Sequence, residues 1–380
     1  FVIELLPNFN FKMEYATHRI LPMAQAAEEL GVELFIYSFR YIDPNTLIVP
    51  GCTVGKNRLI AKVAQVPEVS GNWFIGPNNI DDKTALTKRD FYNLAQKHQL
   101  DLYSNNNFAM TLKDKLATYE LLNKLLDKDT QPKTEIFTGE IAQIEKFLLD
   151  YPNIFLKPNK GNQGNYIFGI HKTTHDIVIK FYKDKKTHQI SAKKIEDFLP
   201  YIANLINNTQ YIIQEGIDTE SYKDATFIIR IIFVDDGEQW HSVSKAVVSE
   251  SDSDIANTTQ GGYDEFTETL LKTCYGKENG EKILSNINNM TRDCIQKLEK
   301  YYPNSMMEIA FDLMIDKQQQ IKIIEINTKP GMRRPGMPTS SSMFDLDKEN
   351  PEYYQNVMLP YGKRLMHFLY SKLQERKSHG

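Results

Sequence analysis

The sequence predicts an α/β and α+β fold: a small parallel unit, then segments of mixed strand and helix. Three observations point there. The chain opens strand, helix, strand over Phe1–Phe39, the pattern of a parallel βαβ unit. In the middle, the glycine-bearing polar stretch Asn159–Asn165 separates two apolar strand-like runs. Near the end, Met306–Arg334 reads as two strands joined by the polar turn Lys317–Gln320.

Length and composition bound the function classes. At 380 residues the chain accommodates two or three domains with substantial cores. A hydrophobic content of 41% and a charged content of 25% belong to a globular protein rather than a disordered one. The formal net charge is −4 and no long basic run occurs, so nucleic acid is not an expected partner. No apolar run approaches the roughly 18 residues of a membrane span, and no signal peptide is visible. Cys52, Cys274 and Cys294 are widely spaced and odd in number. That argues against a disulfide framework or zinc ribbon and for a reducing, cytoplasmic setting. Because the chain opens straight into strand-like Phe1–Leu6, a few native residues are expected to precede it. Nothing in the composition fixes an oligomeric state.

Phe1–Leu6 reads as a buried strand. His18–Leu30 reads as an amphipathic helix with Thr17 as N-cap and Gly31 just past its end, and Val32–Phe39 as the next strand. No G-x-G-x-x-G follows the first strand, so a dinucleotide fingerprint is absent. Gly51–Asn57 resembles a P-loop, but it is one residue short between its glycines and carries Asn57 where a hydroxyl would bind Mg²⁺. A loop in a β-rich segment is expected there instead. From Thr111, residues Leu112, Leu116, Tyr119, Leu122 and Leu126 make an apolar helical stripe, and Thr111–Asp114 fits a capping box that starts the helix. Lys113 and Lys115 then lie in its first turn, against the helix dipole. They are either solvated or held there by a phosphate.

Lys157 ends the apolar strand Ile154–Pro158, where an unpaired charge is costly unless it meets an anion. The following loop, with Gly161 and Gly164, forms either a plain hairpin turn or a lid whose N–H groups fold over phosphates. His171 and His175 lie four apart outside any helical pattern and are not expected to bind metal. Asp176–Tyr182 continues the sheet, and Ala192–Ile206 reads as a helix packed on it. Tyr211–Ile217 is a strand running into a hinge; exposed backbone there suits an adenine ring, with Glu215 placed for nucleotide contacts. Phe227–Val234 is apolar except for Arg230 at its centre. Either a buried structural ion pair or a ligand phosphate or carboxylate would account for that arginine. Asn257–Gly262 is a polar glycine turn before a helical region from about Asp264 to Tyr301. Pro360–Lys377 reads as a closing amphipathic helix.

In the terminal hairpin Ile309, Phe311, Leu313 and Ile315 alternate with Ala310, Asp312, Met314 and Asp316, the signature of a half-buried strand. Pairing Asp316 with Ile321 puts Asp312 opposite Glu325 and Ala310 opposite Asn327. Facing carboxylates destabilise a sheet unless a cation lies between them. Asp312, Glu325 and Asn327 supply hard oxygen donors of the kind Mg²⁺ takes; acids simply facing water are the alternative. Asn327 leads directly into Lys329, Arg333 and Arg334, three cations beside the acidic pair.

These features occur in an order that resembles an ATP-grasp enzyme, and in particular the YheC/YheD group associated with the Bacillus spore coat. The matching parts are KDKLATYELL, IFLKPNKGNQG, YIIQEGI, Asn257 with Gly261–Gly262, and IAFDLMID…IIEINTKPG, spanning roughly residues 110 to 335. The resemblance implies an N-terminal α/β domain over 1–105, a lobe with a glycine-loop lid over 106–210, and a C-terminal lobe with the metal hairpin over 211–380. It implies ATP between the lobes, with Lys115 and Lys157 on the phosphates and Gly161 and Gly164 in the lid. Gln214, Glu215, Ile217 and Asn257 would contact the nucleotide, and Asp312, Glu325 and Asn327 would hold Mg²⁺. Two departures stand out: Ile228 replaces an acid common two residues before the arginine, and Lys245 lies where relatives often have arginine.

The implied activity is that of an ATP-dependent carboxylate–amine ligase acting through an acyl phosphate. Its partners would be a small-molecule or peptide carboxylate and an amine acceptor. Arg230 and Lys157 would serve the transferring phosphate, and Lys245, Lys329, Arg333 and Arg334 the acidic substrate. A phosphotransferase acting on a hydroxyl, and a nucleotide-binding spore-coat protein without turnover, are the alternatives.

Overall fold

The computed structural model describes residues 2–3, 17–55, 58–73, 86–103, 106–161, 166–183, 186–198, 209–249, 253–257, 260–328, 330 and 351–379. Their strands form three sheets. The first has the order β4-β3-β2-β1-β5-β6, from β1 (Val2–Ile3), β2 (Phe35–Tyr37), β3 (Ile48–Val54), β4 (Leu59–Gln65), β5 (Val69–Trp73) and β6 (Asp101–Tyr103). β1 runs parallel to β2, and α1 (Thr17–Glu29) makes the crossover, as the βαβ pattern requires. Gly31, at φ +67°, ends that helix in the left-handed conformation that glycine adopts without steric cost. β2 is shorter than the sequence suggests because Phe39–Tyr41 turns into a 3₁₀ segment capped by Ser38. Gly51–Val54 of the P-loop-like stretch lies in β3, not in the expected loop. A Cβ on Gly51 would run into the Ile36 carbonyl of the paired strand, which accounts for the glycine. Lys56 and Asn57 lie outside the described residues. α2 (Lys88–Lys97) starts at a capping box between Thr87 and Asp90.

The second sheet, β11-β10-β9-β8-β12-β7, comprises β7 (Thr134–Ile136), β8 (Asn153–Pro158), β9 (Phe168–Lys172), β10 (Ile177–Lys183), β11 (Lys186–Ala192) and β12 (Tyr211–Glu215). β12, grouped with the last segment by the sequence reading, pairs here between β8 and β7. Ala192 ends a strand rather than starting a helix; Ile195–Phe198 forms a 3₁₀ turn, and 199–208 lie outside the described residues. The chain before β7 also departs from expectation. α3 (Asn106–Lys113) and α4 (Lys115–Leu125) are separate helices that meet at Asp114. Asp114, not Thr111, is the N-cap: its Oδ1 accepts the Ala117 N–H at 3.0 Å. Lys113 therefore ends one helix while Lys115 begins the next. α5 (Ile141–Asp150) packs Ile144, Phe147 and Leu148 against Leu156, Ile170 and Ile213 of the sheet.

The third sheet, β15-β14-β13-β16-β17, is formed by β13 (Phe227–Asp235), β14 (Trp240–Val248), β15 (Tyr263–Glu265), β16 (Glu308–Ile315) and β17 (Ile321–Asn327). Its helical cover is α6 (Thr267–Tyr275) and α7 (Lys277–Tyr301), divided at Gly276 with φ +79°. The expected continuous helix from Asp264 thus begins as a strand and breaks at a glycine. Ile229, Ile231, Phe233, Phe311 and Leu313 bury against Ile283, Ile287 and Leu298, with Phe108, Leu112, Leu121 and Leu122 of α3 and α4 in the same core. The opposite face has two parts. At one end Ile232, Val234 and Ala310 bury under α8 (Leu359–His379) and α1 through Leu365, Phe368, Ile20 and Met23. At the other end that face carries Arg230 and Asp312. β16 is consequently buried on both faces, not one. Among the described residues, no helix is long and apolar enough to cross a membrane.

Candidate functional site

A row of charged side chains crosses the third sheet. Cα register pairs Glu325 with Asp312, Asp312 with Arg230, and Arg230 with Lys245. Asp264 of β15 completes the row diagonally, opposite Val247. The signs run acid, acid, base, base, acid. Arg230 Nε and Nη2 each donate to one oxygen of Asp312 at 2.6 Å, a bidentate pair. The charge that has no partner along its own strand thus finds one on the neighbouring strand. Asp312 raises the Arg230 pKa further, outweighing the opposing effect of burial. Lys245 Nζ donates to Asp264 Oδ2 at 2.9 Å, while burial holds the lysine below its ordinary pKa.

The acidic end gathers the three residues expected to hold a cation. Asp312 faces Glu325, and Asn327 Nδ2 lies 3.4 Å from Asp312 Oδ2. Burial first, and then the Asp312 charge, hold the Glu325 carboxyl above the usual range, although Lys115, Arg230 and Lys157 pull it back. Two carboxylates and an amide oxygen fit a hard divalent ion. A carboxylate has about four lone-pair positions, so Asp312 can keep its bond to Arg230 and still ligate. The expected route to this pairing needs correction. The turn pairs Ile315, not Asp316, with Ile321, and a bulge at Ile324 then shifts the register by one to bring Glu325 opposite Asp312.

A cleft joins this row to the second sheet, with Lys115, Lys157, Gln214, Ile324 and Glu325 among its lining residues. Lys157 Nζ donates to Gln214 Oε1 at 2.6 Å and lies 5.0 Å from the Phe155 ring centroid. Gln214 is fixed in turn by donating to Thr134 Oγ1 at 2.9 Å. Burial pushes the Lys157 pKa down to about 8, with the Lys115 charge adding to the effect. Lys115 is lowered by burial as well and donates to the Gly161 carbonyl at 3.0 Å. Asn159 holds these parts together. Its carbonyl and Oδ1 accept the Lys115 and Leu116 N–H groups at 3.0 and 2.9 Å, and its Nδ2 donates to Gln210 Oε1 at 2.7 Å.

Other expected residues are not among those that line this cleft. Glu215 Oε2 accepts the Lys133 N–H at 2.9 Å at the start of β7, and Ile217 follows in the connection after β12. The Asn257 carbonyl accepts the N–H groups of Gln260 and Gly262, each at 3.1 Å. A Cβ on Gly262 would meet that carbonyl at 2.7 Å, so the glycine permits the tight turn. Gly164, Lys329, Arg333 and Arg334 lie outside the described residues. Sequence reasoning missed Asn159, Thr134 and Asp264. Only the hydrogen bonds of Lys115, Gln214 and Lys245 reveal them.

The family model described as YheC/D like ATP-grasp matches residues 105–355. The endospore coat-associated protein YheD of Bacillus subtilis (strain 168) is 22% identical over 338 residues, covering 87% of this chain and 72% of YheD. YheC of the same organism, also named endospore coat-associated, is 24% identical over 206 residues, covering 53% of this chain and 55% of YheC. Among solved structures, a RiPP-associated ATP-grasp ligase from Chryseobacterium gregarium, in complex with ADP and a leader and core peptide, is 14% identical. It aligns at a TM-score of 0.49 over 98% of this chain and 96% of its own. With the family model spanning well over half of its length, the chain belongs to the YheC/D-like ATP-grasp family.

Proposed function

We propose that the protein is an ATP-dependent carboxylate–amine ligase working through an acyl phosphate. The observation that carries this reading is the convergence of Lys115 and Lys157 on the same cleft as Glu325, whose strand neighbour Asp312 is held by Arg230. Lys157 from the second sheet and Lys115 from the start of α4 meet the acidic pair of the third sheet, an arrangement suited to a nucleotide's phosphates and an accompanying Mg²⁺. Lys115 and Lys157 bind phosphate oxygens, and Gly161, whose carbonyl accepts from Lys115 Nζ, lies beside them. Gln214 orients Lys157, while the backbone beyond β12, with Glu215 and Ile217, borders the nucleotide. Asn257 shapes the turn facing the second lobe. Asp312, Glu325 and Asn327 hold the metal, which would supply charge neutralisation between phosphates and carboxylates.

The chemistry balances without a protein nucleophile. A substrate carboxylate oxygen bonds to the γ-phosphorus as its bond to the bridging oxygen breaks, releasing ADP. The amine nitrogen then bonds to the acyl carbon, phosphate departs, and the net reaction releases one proton. Arg230 shares its fork between Asp312 and the transferring phosphate, and charge neutralisation lowers the barrier. Lys245, beside Arg230 in register, and Lys329, Arg333 and Arg334 complete the basic surroundings of the acidic substrate. Association with a spore coat, as the names of YheD and YheC state for those proteins, would follow cytoplasmic synthesis.

Hydroxylamine tests the intermediate. With ATP, the carboxylate substrate and no amine, it should yield a hydroxamate. Arg230→Lys keeps the charge but loses the planar fork, and should reduce that yield by about 10²-fold or more while sparing ATP binding. ADP release without hydroxamate, once the acid is known, would reject the acyl phosphate and favour transfer to a hydroxyl.

A further inference from the structure

The charged row ends at a second cavity on the outer edge of β14. β15 pairs with only Ala246–Val248 of that edge. The cavity opens beside Ser244 and Lys245, bounded by Asp264, Glu265, Phe266 and Glu268, with a volume of about 530 Å³. Among the described residues of its lining, three carboxylates stand against one ammonium. Acids alone would describe no more than a solvated rim.

Asp264 supplies the independent observation. Its side chain is 4% exposed, and Lys245 holds only Oδ2. Oδ1 is buried with no hydrogen-bond partner among the described residues. A buried carboxylate oxygen left so is costly unless a donor or cation meets it. Phe266, 56% exposed, adds an aromatic surface on which a cation can rest.

We propose that this cavity binds the cationic head, ammonium or guanidinium, of the amine substrate, with Asp264 as counter-ion and Glu268 at the mouth. Its identification with the amine substrate rests on the ligase reading; its preference for a cation does not. Asp264 lies on the same sheet face as Arg230 and Asp312, so a ligand anchored there extends along Lys245 towards the proposed phosphate. The minimal probe is a diamine, one end bound as a cation and the other free to act as nucleophile.

The full chain is titrated with 1,4-diaminobutane and with its neutral counterpart butane-1,4-diol, by calorimetry and by fluorescence of Trp240 at the start of β14. The diamine should bind and the diol should not. Asp264→Asn should weaken diamine binding about tenfold or more. Glu268→Gln, at an exposed position, should weaken it severalfold with unchanged thermal unfolding, so loss of fold in the first variant leaves the test intact. No diamine binding, equal binding of diol and diamine, or diamine affinity unchanged in Glu268→Gln and in folded Asp264→Asn would overturn the proposal. ADP release on the same preparations separates the two readings. Acid-dependent diamine binding without amine-dependent ADP release rejects the ligase and keeps the cation site. Amine-dependent release with unaltered KM for the amine in the variants does the reverse.

Discussion

Lys157 illustrates how one residue couples stability to binding. Its pKa falls from 10.5 to about 8, chiefly because the folded chain takes the ammonium out of water. The sign follows from linkage. Below pH 8 both folded and unfolded forms carry the proton, and the folded form bears the desolvation cost in full. Between about 8 and 10.5 the folded form releases the proton first, so this lysine makes stability rise with pH. Lys157→Met should therefore stabilise the ligand-free protein at pH 7 and abolish that part of the rise, as thermal unfolding across this range would register. It should also weaken ATP binding about tenfold or more, and wild-type affinity should itself decline above pH 8. A variant less stable at pH 7 but normal in ATP binding would instead make Lys157 a structural residue. Its position at a strand end was legible because lysine stands out among Ile, Phe and Leu. That Gln214 and Thr134 hold it was not legible, since cross-strand partners leave no local pattern.

At the scale of elements, the β16–β17 hairpin depends on two irregularities that cancel. Asp316 leaves the ladder because its Oδ1 accepts the Gln318 and Gln320 N–H groups at 2.9 and 2.7 Å, while Gln319 turns at φ +62°. Pairing then begins one residue early, which by itself would send Glu325 to the face of Phe311. The Ile324 bulge returns it to the face of Asp312. The acid pair was thus readable from spacing, whereas the turn and bulge that create it were not, because a straight register gives the same answer. Glu325→Gln tests the element. Since its raised pKa means that the fold favours the neutral form, a neutral amide should increase ligand-free stability at pH 7. It should also cut the thermal shift produced by Mg²⁺–ATP severalfold. An unchanged shift would remove Glu325 from the metal set.

At the scale of the whole molecule, the catalytic reading requires two sheets to hold their positions across a cleft, and a polar seam at its far side supplies one restraint. Asp254, between β14 and β15, reaches the second sheet: Oδ2 lies 2.5 Å from His171 Nε2 and Oδ1 accepts from Lys180 Nζ at 3.2 Å. His171 Nδ1 is 2.8 Å from Asn153 Oδ1, so the ring bridges strand β8 and the segment between β14 and β15. His171, set aside as a metal ligand by its sequence context, serves this seam. Gly169 makes the approach feasible, because a Cβ there would lie 2.7 Å from Asp254 Oδ2. Gly169→Ala should therefore push Asp254 away without touching Lys157, Asp312 or Glu325. Hydrogen exchange should accelerate over 253–257 and β9, while the core of β13 and β16, buried on both faces, keeps its protection. ATP should bind several times more weakly, since its energy must now also draw the lobes together, and Asp254→Asn should act in the same direction. Faster exchange with undiminished ATP affinity would show that the seam stabilises the lobes without preparing the cleft. Unchanged exchange in both variants would show that other contacts alone fix the lobes, such as those of Asn159 to the Lys115 and Leu116 N–H groups.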